Sequence, residues 1–410
     1  MAASTVLQTQ SYIAPCLQLA FGLLNLLPLQ SARMAPTSIS LSFVFSNSCS
    51  RAAVVLAFLV LASGCGGGGA GGAGSGGIGA APSVTAFGPS DLAVLIAEGD
   101  ATSEAIGRVY QQARGIPEAN MLRVTLPTRN DAIASTAFNT LKASIDARLP
   151  AGVQATLITW TAPSRVQGPC AMGITAALAL GFDARYCGGC VPTATTPYYN
   201  SGSARPYTDF GIRPSMMLGA ATLADAQVLI DRGVAADRRM SNGSTEATAW
   251  LVRTSDLARN AREADFRALA RITAPRLQIN LVDNTDGTGD NEITGRSNVL
   301  FYFTGLARVA QAASNTWLPG AAADHLTSYG GVLPDGFGQM PATEWLRAGA
   351  TASYGTVEEP CAYEQKFPRA SVLVSRYRQG DTLIEAYWKS VQWPGQGLFV
   401  GEPLARPWAP

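Results

Sequence analysis

Residues 91–115, DLAVLIAEGDATSEAIGRVYQQARG, decide the fold class of this chain. Within the first seven residues, Leu92 to Ala97 form a short continuous apolar run, which is typical of a strand buried on both faces. Ser103 and Gly115 bracket the amphipathic segment that follows, as an N-terminal cap and a C-terminal glycine do in helices. The stretch therefore predicts one buried strand followed directly by one helix.

The same alternation of strand and helix continues to the end of the chain. We expect further strands over residues 121–126, 155–160, 215–219, 249–253, 278–282, 298–303, 351–357 and 397–401. We expect helices over residues 136–149, 171–181, 223–233, 255–272, 342–349 and 381–391. This pattern predicts an α/β fold with a mostly parallel sheet and helices on both faces. Ligands in such sheets bind beyond the carboxyl ends of the strands, which favours the loops after Trp160, Phe303, Ser328 and Val357.

The overall composition excludes two classes of protein. Of the 410 residues, 47% are hydrophobic and 14% are charged, so the chain is too apolar to be disordered. The 30 Lys and Arg residues against 29 Asp and Glu residues leave a net charge of +1. Such a chain has no electrostatic field that would attract a phosphate backbone, and we expect no nucleic-acid partner.

The N-terminal part of the chain resembles an export and anchoring segment. Arg51 is followed by an apolar run at residues 52–62, which is shorter than the roughly 20 residues of a spanning helix. Ser63 and Gly64 before Cys65 resemble a bacterial lipobox, in which the cysteine is lipidated. We expect a signal region at 1–64, with Met34 as an alternative start, and a membrane contact through the lipid alone. A plain cleavable signal or a short anchor is the alternative.

A glycine-rich stretch separates this segment from the folded part. Residues 65–83 predict a flexible tether, because glycine loses the most entropy on ordering and offers no side chain to pack. Residues 84–410 are then one α/β globular domain, or two packed halves at about 84–215 and 216–410. We expect the protein in the cell envelope, on the periplasmic face or at the outer membrane.

Four stretches in the second half of the chain resemble an uncharacterised family of secreted bacterial proteins, namely residues 298–305, 323–331, 344–361 and 397–403. Their order along the chain is distantly similar to gingipain-type and CHAT-type proteins of the caspase-like fold. The resemblance implies a caspase-like α/β sandwich and a cysteine-peptidase-like hydrolase. In gingipain-type enzymes a His-Gly and a Cys end two neighbouring strands, whereas here those places hold Thr304-Gly305 and Ser328-Tyr329.

A displaced catalytic dyad is the one nucleophilic site that the residues permit. His325 is the only histidine of the chain, and a cysteine nucleophile needs an imidazole within hydrogen-bond reach. We therefore consider His325 and Cys361 as a dyad, with Asp324 and Glu358 as carboxylates for acid and base work. The alternative is structural: Asp324 orients a buried histidine, and Glu358 or Glu359 anchors the loop of Cys361.

The cysteines also favour a structural role. Cys170, Cys187, Cys190 and Cys361 follow Cys65, and an exported protein folds where disulfides form. Four cysteines allow three complete pairings. We expect one bridge to close the helical segment between Cys170 and the Cys187-Cys190 motif, and a second to hold Cys361. A four-cysteine zinc site is the alternative.

One acidic turn offers oxygen ligands. Residues 283–292 contain several carboxylates and turn glycines directly after an expected strand, a composition that suits calcium, which takes six to eight oxygens. The candidate ligands are Asp283, Asp286, Asp290 and Glu292. The spacing differs from that of an EF-hand, and a solvated turn is the alternative. We expect no other cofactor.

Two functions follow as expectations. The first is an exported, lipid-anchored envelope protein of caspase-like or gingipain-like fold that acts as a cysteine-peptidase-like hydrolase. The alternative is a non-catalytic envelope protein of the same fold that binds a peptide or a glycan. The chain contains neither the Gly-x-Ser-x-Gly elbow of α/β-hydrolases nor a phosphate-binding P-loop, which excludes those two enzyme classes.

Overall fold

The computed structural model describes residues 86–410. Its strands are β1 Leu92–Ala97, β2 Met121–Val124, β3 Ala132–Ala134, β4 Ala155–Ile158, β5 Arg165–Gln167, β6 Ala171–Gly173, β7 Ser215–Met217, β8 Ala247–Arg253, β9 Leu277–Asp283, β10 Val299–Thr304, β11 Trp317–His325, β12 Ala352–Thr356 and β13 Gly397–Gly401. Its helices are α1 Ala101–Arg114, α2 Ser135–Asp146, α3 Ile174–Leu180, α4 Pro206–Phe210, α5 Leu223–Ala236, α6 Arg239–Asn242, α7 Glu263–Leu269, α8 Thr343–Ala348, α9 Ala370–Arg378 and α10 Leu383–Ser390. The expected signal region, Cys65 and the tether lie outside the described residues.

Ten of these strands form one sheet in the order β2-β1-β4-β7-β13-β12-β11-β10-β8-β9. Neighbouring strands are parallel everywhere along this described sheet except between β12 and β13. The predicted α/β class with a mostly parallel, helix-flanked sheet is therefore confirmed, and the layout is consistent with the caspase-like arrangement. Among residues 86–410, no helix combines the length and apolarity needed to cross a membrane.

The antiparallel pair divides the sheet into two halves that run in opposite directions. The first half-sheet is β2-β1-β4-β7-β13, and the second is β12-β11-β10-β8-β9. Met217 at the end of β7 pairs with Val400, and Val400 pairs with Ser353 near the start of β12. The carboxyl ends of the two half-sheets consequently lie at opposite edges. The loop after Trp160 is thus at the other edge from the loops after Phe303 and Val357, which we had expected to act together.

The first βα unit shows how local sequence positions the sheet. All six residues of β1 are buried, as the continuous apolar run predicts. The N-cap of α1 is Asp100, whose side chain accepts a hydrogen bond from the Ser103 amide. Ser103 itself lies inside the helix, and its hydroxyl is 2.6 Å from the hydroxyl oxygen of Thr159 beyond β4. Gly115 ends the helix with a φ of +65°, which favours glycine.

One predicted helix is much shorter in the structure. We expected residues 255–272 to form a single helix, but α7 covers only Glu263–Leu269. The side chain of Asn260 accepts a hydrogen bond from the Thr254 amide and donates one to the Thr254 carbonyl oxygen. These bonds hold a turn in place of the first helical turns, because a short polar side chain competes with the backbone ladder. The turn directs Arg262 into the interior.

A second, three-stranded sheet of β3, β5 and β6 packs against the start of β13. A side chain at Gly173 in β6 would place its Cβ 1.9 Å from the carbonyl oxygen of Gly397. The two backbones can approach this closely only because residue 173 is glycine. The sequence predicts one helix over residues 171–181, whereas the structure has β6 followed by α3, which ends at Leu180.

The end of β13 is tied to α1 through Glu402. This buried carboxylate accepts hydrogen bonds from the Tyr110 hydroxyl at 2.7 Å and from Nη2 of Arg114 at 2.6 Å. Arg114 also forms an ion pair with Asp237 after α5. A buried charge needs such partners, so the Gly-Glu-Pro stretch at residues 401–403 has a structural role.

Candidate functional site

His325 ends β11 and its imidazole is buried, with both ring nitrogens hydrogen-bonded. The indole Nε1 of Trp345 lies 2.9 Å from Nδ1, and the carbonyl oxygen of Met340 lies 2.9 Å from Nε2. An indole N–H can only donate, so Nδ1 is the acceptor and the proton sits on Nε2. Burial lowers the pKa of His325 to about 4. The ring is therefore a neutral core group and has no nitrogen available to activate a nucleophile.

Asp324 points to the opposite side of the sheet from His325, as adjacent residues in a strand do. Its Oδ1 accepts a hydrogen bond from Nη1 of Arg262 at 2.6 Å, and both side chains are buried. Arg262 also donates to the carbonyl oxygen of Thr304 at 2.8 Å and to that of Pro368 at 3.0 Å. Burial raises the pKa of Asp324 to about 6, while Arg262 lowers it. This ion pair joins β11 to α7 and does not orient His325.

The four described cysteines form two disulfides, Cys170 with Cys187 and Cys190 with Cys361. The first closes the segment that contains α3, and the second links that segment to the loop after β12. The prediction of a disulfide protein is confirmed. The structure contradicts the dyad of His325 and Cys361, because the sulfur of Cys361 is already bonded and the imidazole is fully engaged.

The glutamates after β12 hold the cysteine loops in place. Oε2 of Glu358 accepts hydrogen bonds from the amides of Gly188 at 3.3 Å and Gly189 at 3.0 Å. Oε1 of Glu359 accepts one from the amide of Cys361 at 2.9 Å. Glu358 thus anchors the loop of residues 187–190, and the predicted use of Glu358 with Asp324 as an acid and base pair is not what the structure shows.

Lys366 lies behind the same loop. It is buried and donates to the carbonyl oxygen of Gly189. Burial lowers the pKa of Lys366 to about 8, while Glu358 and Glu359 raise it. Together the glutamates, the lysine and the disulfide fill the carboxyl edge of the second half-sheet. We call this region the closed edge, defined by the ends of β10, β11 and β12.

A small void lies at the closed edge. It lies beside Arg262, has a volume of about 10 Å³, and is lined by residues that include Asp265 and Arg369. A cavity of this size holds about one water molecule. No substrate could reach the buried Asp324 through it.

The acidic turn does not gather its carboxylates. Asp283 forms an ion pair with Arg253, and Asp286 accepts hydrogen bonds from the amide and hydroxyl of Thr288. Glu292 accepts a hydrogen bond from the amide of Gln311 at 2.6 Å. Within residues 86–410, the one group of three potential metal ligands is Cys190, Glu359 and Cys361, and its sulfurs are joined to each other. Asp283, Asp286, Asp290 and Glu292 are therefore not brought together as the calcium prediction requires.

A cavity of about 300 Å³ lies at the opposite edge of the sheet, where β7 ends. Its walls are α5, α8 and the loop after β7. On α5, residues 225, 228, 229 and 232 line the cavity at a spacing of three and four residues, which places them on one helix face. Gly219, with a φ of +77°, turns the chain so that Ala220 and Ala221 complete the wall. We call this region the α5/α8 cavity.

The lining of the α5/α8 cavity combines an apolar floor with polar ends. Leu229 and Leu346 are buried, whereas Val228 at the rim is 58% exposed. Asp225 is at one end and Arg232 is seven residues further along α5, about 10 Å along the helix axis. An apolar cleft with a few fixed polar groups is the usual form of a small-ligand site.

Arg232 is the residue of this cavity that sequence reasoning missed. Its Nη1 donates to the carbonyl oxygens of Leu346 at 3.0 Å and Ala350 at 2.5 Å, at the end of α8. Burial lowers the pKa of Arg232, and no carboxylate of the described chain offsets this effect. We predicted the helix over residues 223–233, but nothing in its pattern indicates that Arg232 faces α8. That depends on the reversed direction of the second half-sheet.

The chain matches no protein-family model, no curated protein and no solved structure. Its function is therefore inferred from the α5/α8 cavity and the closed edge.

Proposed function

We propose that this chain is an exported, lipid-anchored envelope protein that binds a peptide or glycan without cleaving it, through the α5/α8 cavity. The single observation that carries the proposal is this cavity of about 300 Å³, with its apolar floor and an arginine lacking a carboxylate partner among the described residues. A cavity of this volume falls at the lower end of the range typical of ligand sites.

The closed edge supports a binding function over catalysis. Catalysis by a cysteine needs a thiolate and a nearby base. Cys361 is bonded to Cys190, and both nitrogens of His325 are hydrogen-bonded in the core. Of the two expected functions, the non-catalytic binding of a peptide or glycan is therefore the one we propose, with the α5/α8 cavity as its site.

Export and lipid anchoring remain proposals based on the sequence around Cys65. The two disulfides agree with folding in an oxidising compartment. Metabolic labelling with palmitate tests the anchor: the full chain should be labelled, and Cys65→Ser should lose the label. Labelling that persists in Cys65→Ser would contradict lipidation at this residue.

The binding function can be tested by filling the cavity at its rim. The full chain is screened against peptide and glycan arrays, and the affinity of any ligand found is measured for Val228→Trp and Val234→Trp. Both valines are exposed on α5, but only Val228 lines the cavity. We expect Val228→Trp to weaken binding at least tenfold and Val234→Trp to change it less than twofold.

Two outcomes would contradict the proposal. The first is binding that Val228→Trp leaves unchanged, because the ligand would then occupy another surface. The second is peptide cleavage by the wild-type chain that disappears in Cys361→Ala, because that result would restore a cysteine nucleophile.

A further inference from the structure

The chemistry of the α5/α8 cavity points to one kind of ligand, and this inference rests on the proposed binding function. Arg232 uses Nη1 to hold the end of α8, through the carbonyl oxygens of Leu346 and Ala350. Its Nε and Nη2 donate to no residue of the described part of the chain. These two N–H groups form one planar edge of the guanidinium, which matches the two oxygens of a carboxylate.

The charged groups around the cavity have partners other than Arg232, so Arg232 can bind a ligand. Arg347, the other cation of the lining, forms an ion pair with Glu344. The carboxylate of Asp225 accepts a hydrogen bond from the hydroxyl of Thr222 at 2.8 Å, at the first turn of α5. A half-buried cation without a carboxylate partner is stabilised by an anionic ligand, since desolvation has already weakened its interaction with water.

The end of the cavity that carries Asp225 determines which kind of anion fits. Asp225 offers carboxylate oxygens there, and Leu229 and Leu346 form the apolar floor of the cavity. The end of a peptide carries a carboxylate with an apolar side chain beside it. An extended chain advances about 3.3–3.6 Å per residue, so an amide N–H two or three residues before the end lies about 10 Å from the carboxylate. A fatty acid offers no N–H donor to Asp225, and a neutral sugar offers no anion to Arg232.

The volume agrees with a ligand longer than one residue. By the measure in which about 10 Å³ holds one water, 300 Å³ holds on the order of 20–30 waters. This space accommodates the last few residues of a peptide, and the exposed rim at Val228 leaves a path for the residues before them.

We propose that the α5/α8 cavity binds the C-terminal residue of a peptide, with the terminal carboxylate on Nε and Nη2 of Arg232 and an apolar side chain against Leu229 and Leu346. An amide N–H two or three residues before the chain end faces Asp225. Recognition then depends on a free chain end, so internal segments of a protein are excluded.

The test uses the full chain and three small probes: N-acetyl-leucine, its amide N-acetyl-leucinamide, and hexanoate. Their affinities are measured by ligand-observed saturation-transfer NMR. We expect N-acetyl-leucine to bind at least tenfold more tightly than its amide and than hexanoate. Val228→Trp should abolish the signal of N-acetyl-leucine, which locates the probe in the cavity.

Substitution of Arg232 by lysine tests the role of the planar guanidinium edge apart from that of the positive charge. Arg232→Lys keeps a cation that can still reach the Leu346 carbonyl oxygen but cannot bind a carboxylate through two parallel hydrogen bonds. We expect this variant to lose at least tenfold in affinity for N-acetyl-leucine while its urea unfolding midpoint stays near that of the wild type. Arg376→Lys is the matched control, because Arg376 is also half-buried and donates to a backbone carbonyl, that of Asn200, away from the cavity.

The outcomes distinguish this inference from the binding function itself. Equal affinity for acid and amide, or binding of hexanoate alone, would overturn the peptide C-terminus and leave the cavity as a binding site. If none of the probes binds, the inference is also overturned, and the array test with Val228→Trp then decides whether the cavity binds anything. Failure of both tests would remove the binding function as well.

Discussion

The two carboxyl edges of the sheet differ in what fills them. At the closed edge, the imidazole of His325, the ion pair of Asp324 with Arg262 and the exposed disulfide leave a void of about 10 Å³. Where β7 ends, at the other edge, the α5/α8 cavity has a volume of about 300 Å³. His325, Asp324 and Cys361, the candidate catalytic residues of the sequence, lie at the closed edge, where the void beside Arg262 is too small for a ligand.

The comparison shows that residue type is a weaker guide to a binding site than a charged group that lacks a partner and lines a cavity. Arg262 and Arg232 are both arginines that hold backbone carbonyl oxygens. Arg262 also has a carboxylate partner and is 2% exposed, so a ligand cannot reach it, even though its Nε has no hydrogen-bond partner among the described residues. Arg232 has no such partner among the described residues and lines a cavity. The second arginine, not the first, is available to a ligand.

The largest effect is expected from opening the disulfide at the closed edge. Cys190 and Cys361 are 171 residues apart, and a loop of this length corresponds to about 5 kcal/mol of chain entropy. Because both cysteines are exposed, Cys190→Ala with Cys361→Ala should lose little packing, and the free energy of unfolding should fall by up to that amount in urea. A loss below about 1 kcal/mol would show that Glu358 and Lys366 hold the loops without the bridge.

The two arginines allow a direct comparison of the edges. Arg262→Ala leaves Asp324 as a buried carboxylate without its partner, and such a change costs about 3–5 kcal/mol. Arg232→Ala removes hydrogen bonds to two carbonyl oxygens at the end of a helix that water can reach, which costs about 1 kcal/mol. Chemical unfolding of both variants measures the difference. Equal losses would contradict the distinction between a closed and an open edge.

The buried imidazole should give the smallest of the three effects, and one that depends on pH. The pKa of His325 is about 4 in the folded chain and near 6.5 when unfolded. As the pH falls below about 6.5, the unfolded state takes up the proton first, so stability is lost down to about pH 4. Two and a half pKa units correspond to about 3 kcal/mol. The stability advantage of the wild type over His325→Gln should therefore shrink by about this amount between pH 7.5 and pH 4.

Asp324 has the opposite dependence, which is why the variant is needed. Its pKa of about 6 in the folded chain lies above the unfolded value near 4, so its contribution to stability falls as the pH rises through this interval. This contribution is present in both proteins and cancels in their difference. A difference between wild type and His325→Gln that stays constant with pH would mean that the imidazole is accessible to water.

Much of the fold could be predicted because it depends on local pattern. The apolar run of β1 and the cap and glycine around α1 predict their elements within a few residues. The helix over residues 255–272 was predicted wrongly because one side chain, Asn260, bonds the backbone of Thr254. No periodicity of apolar residues reports such a bond.

The candidate site could be predicted only in part. The cysteine spacing allowed three pairings, and the structure has the one that joins Cys170 to Cys187 and Cys190 to Cys361. The burial of His325 depends on Trp345 and Met340, which are 20 and 15 residues away in the chain. Sequence proximity of Asp324 to His325 suggested cooperation, although the alternation of a strand separates the two side chains.

The sequence alone determines the α/β class and the positions of most strands and helices, because these depend on short-range periodicity. Composition gives a net charge too small to attract nucleic acid, and the N-terminal residues give the expectation of an exported, anchored chain. Tertiary structure alone decided which edge is filled and which is open. The physical reason is the single antiparallel pair between β12 and β13, which sends the carboxyl ends of the two half-sheets in opposite directions. Strand direction is set by packing between segments far apart in the chain, and no local pattern encodes it.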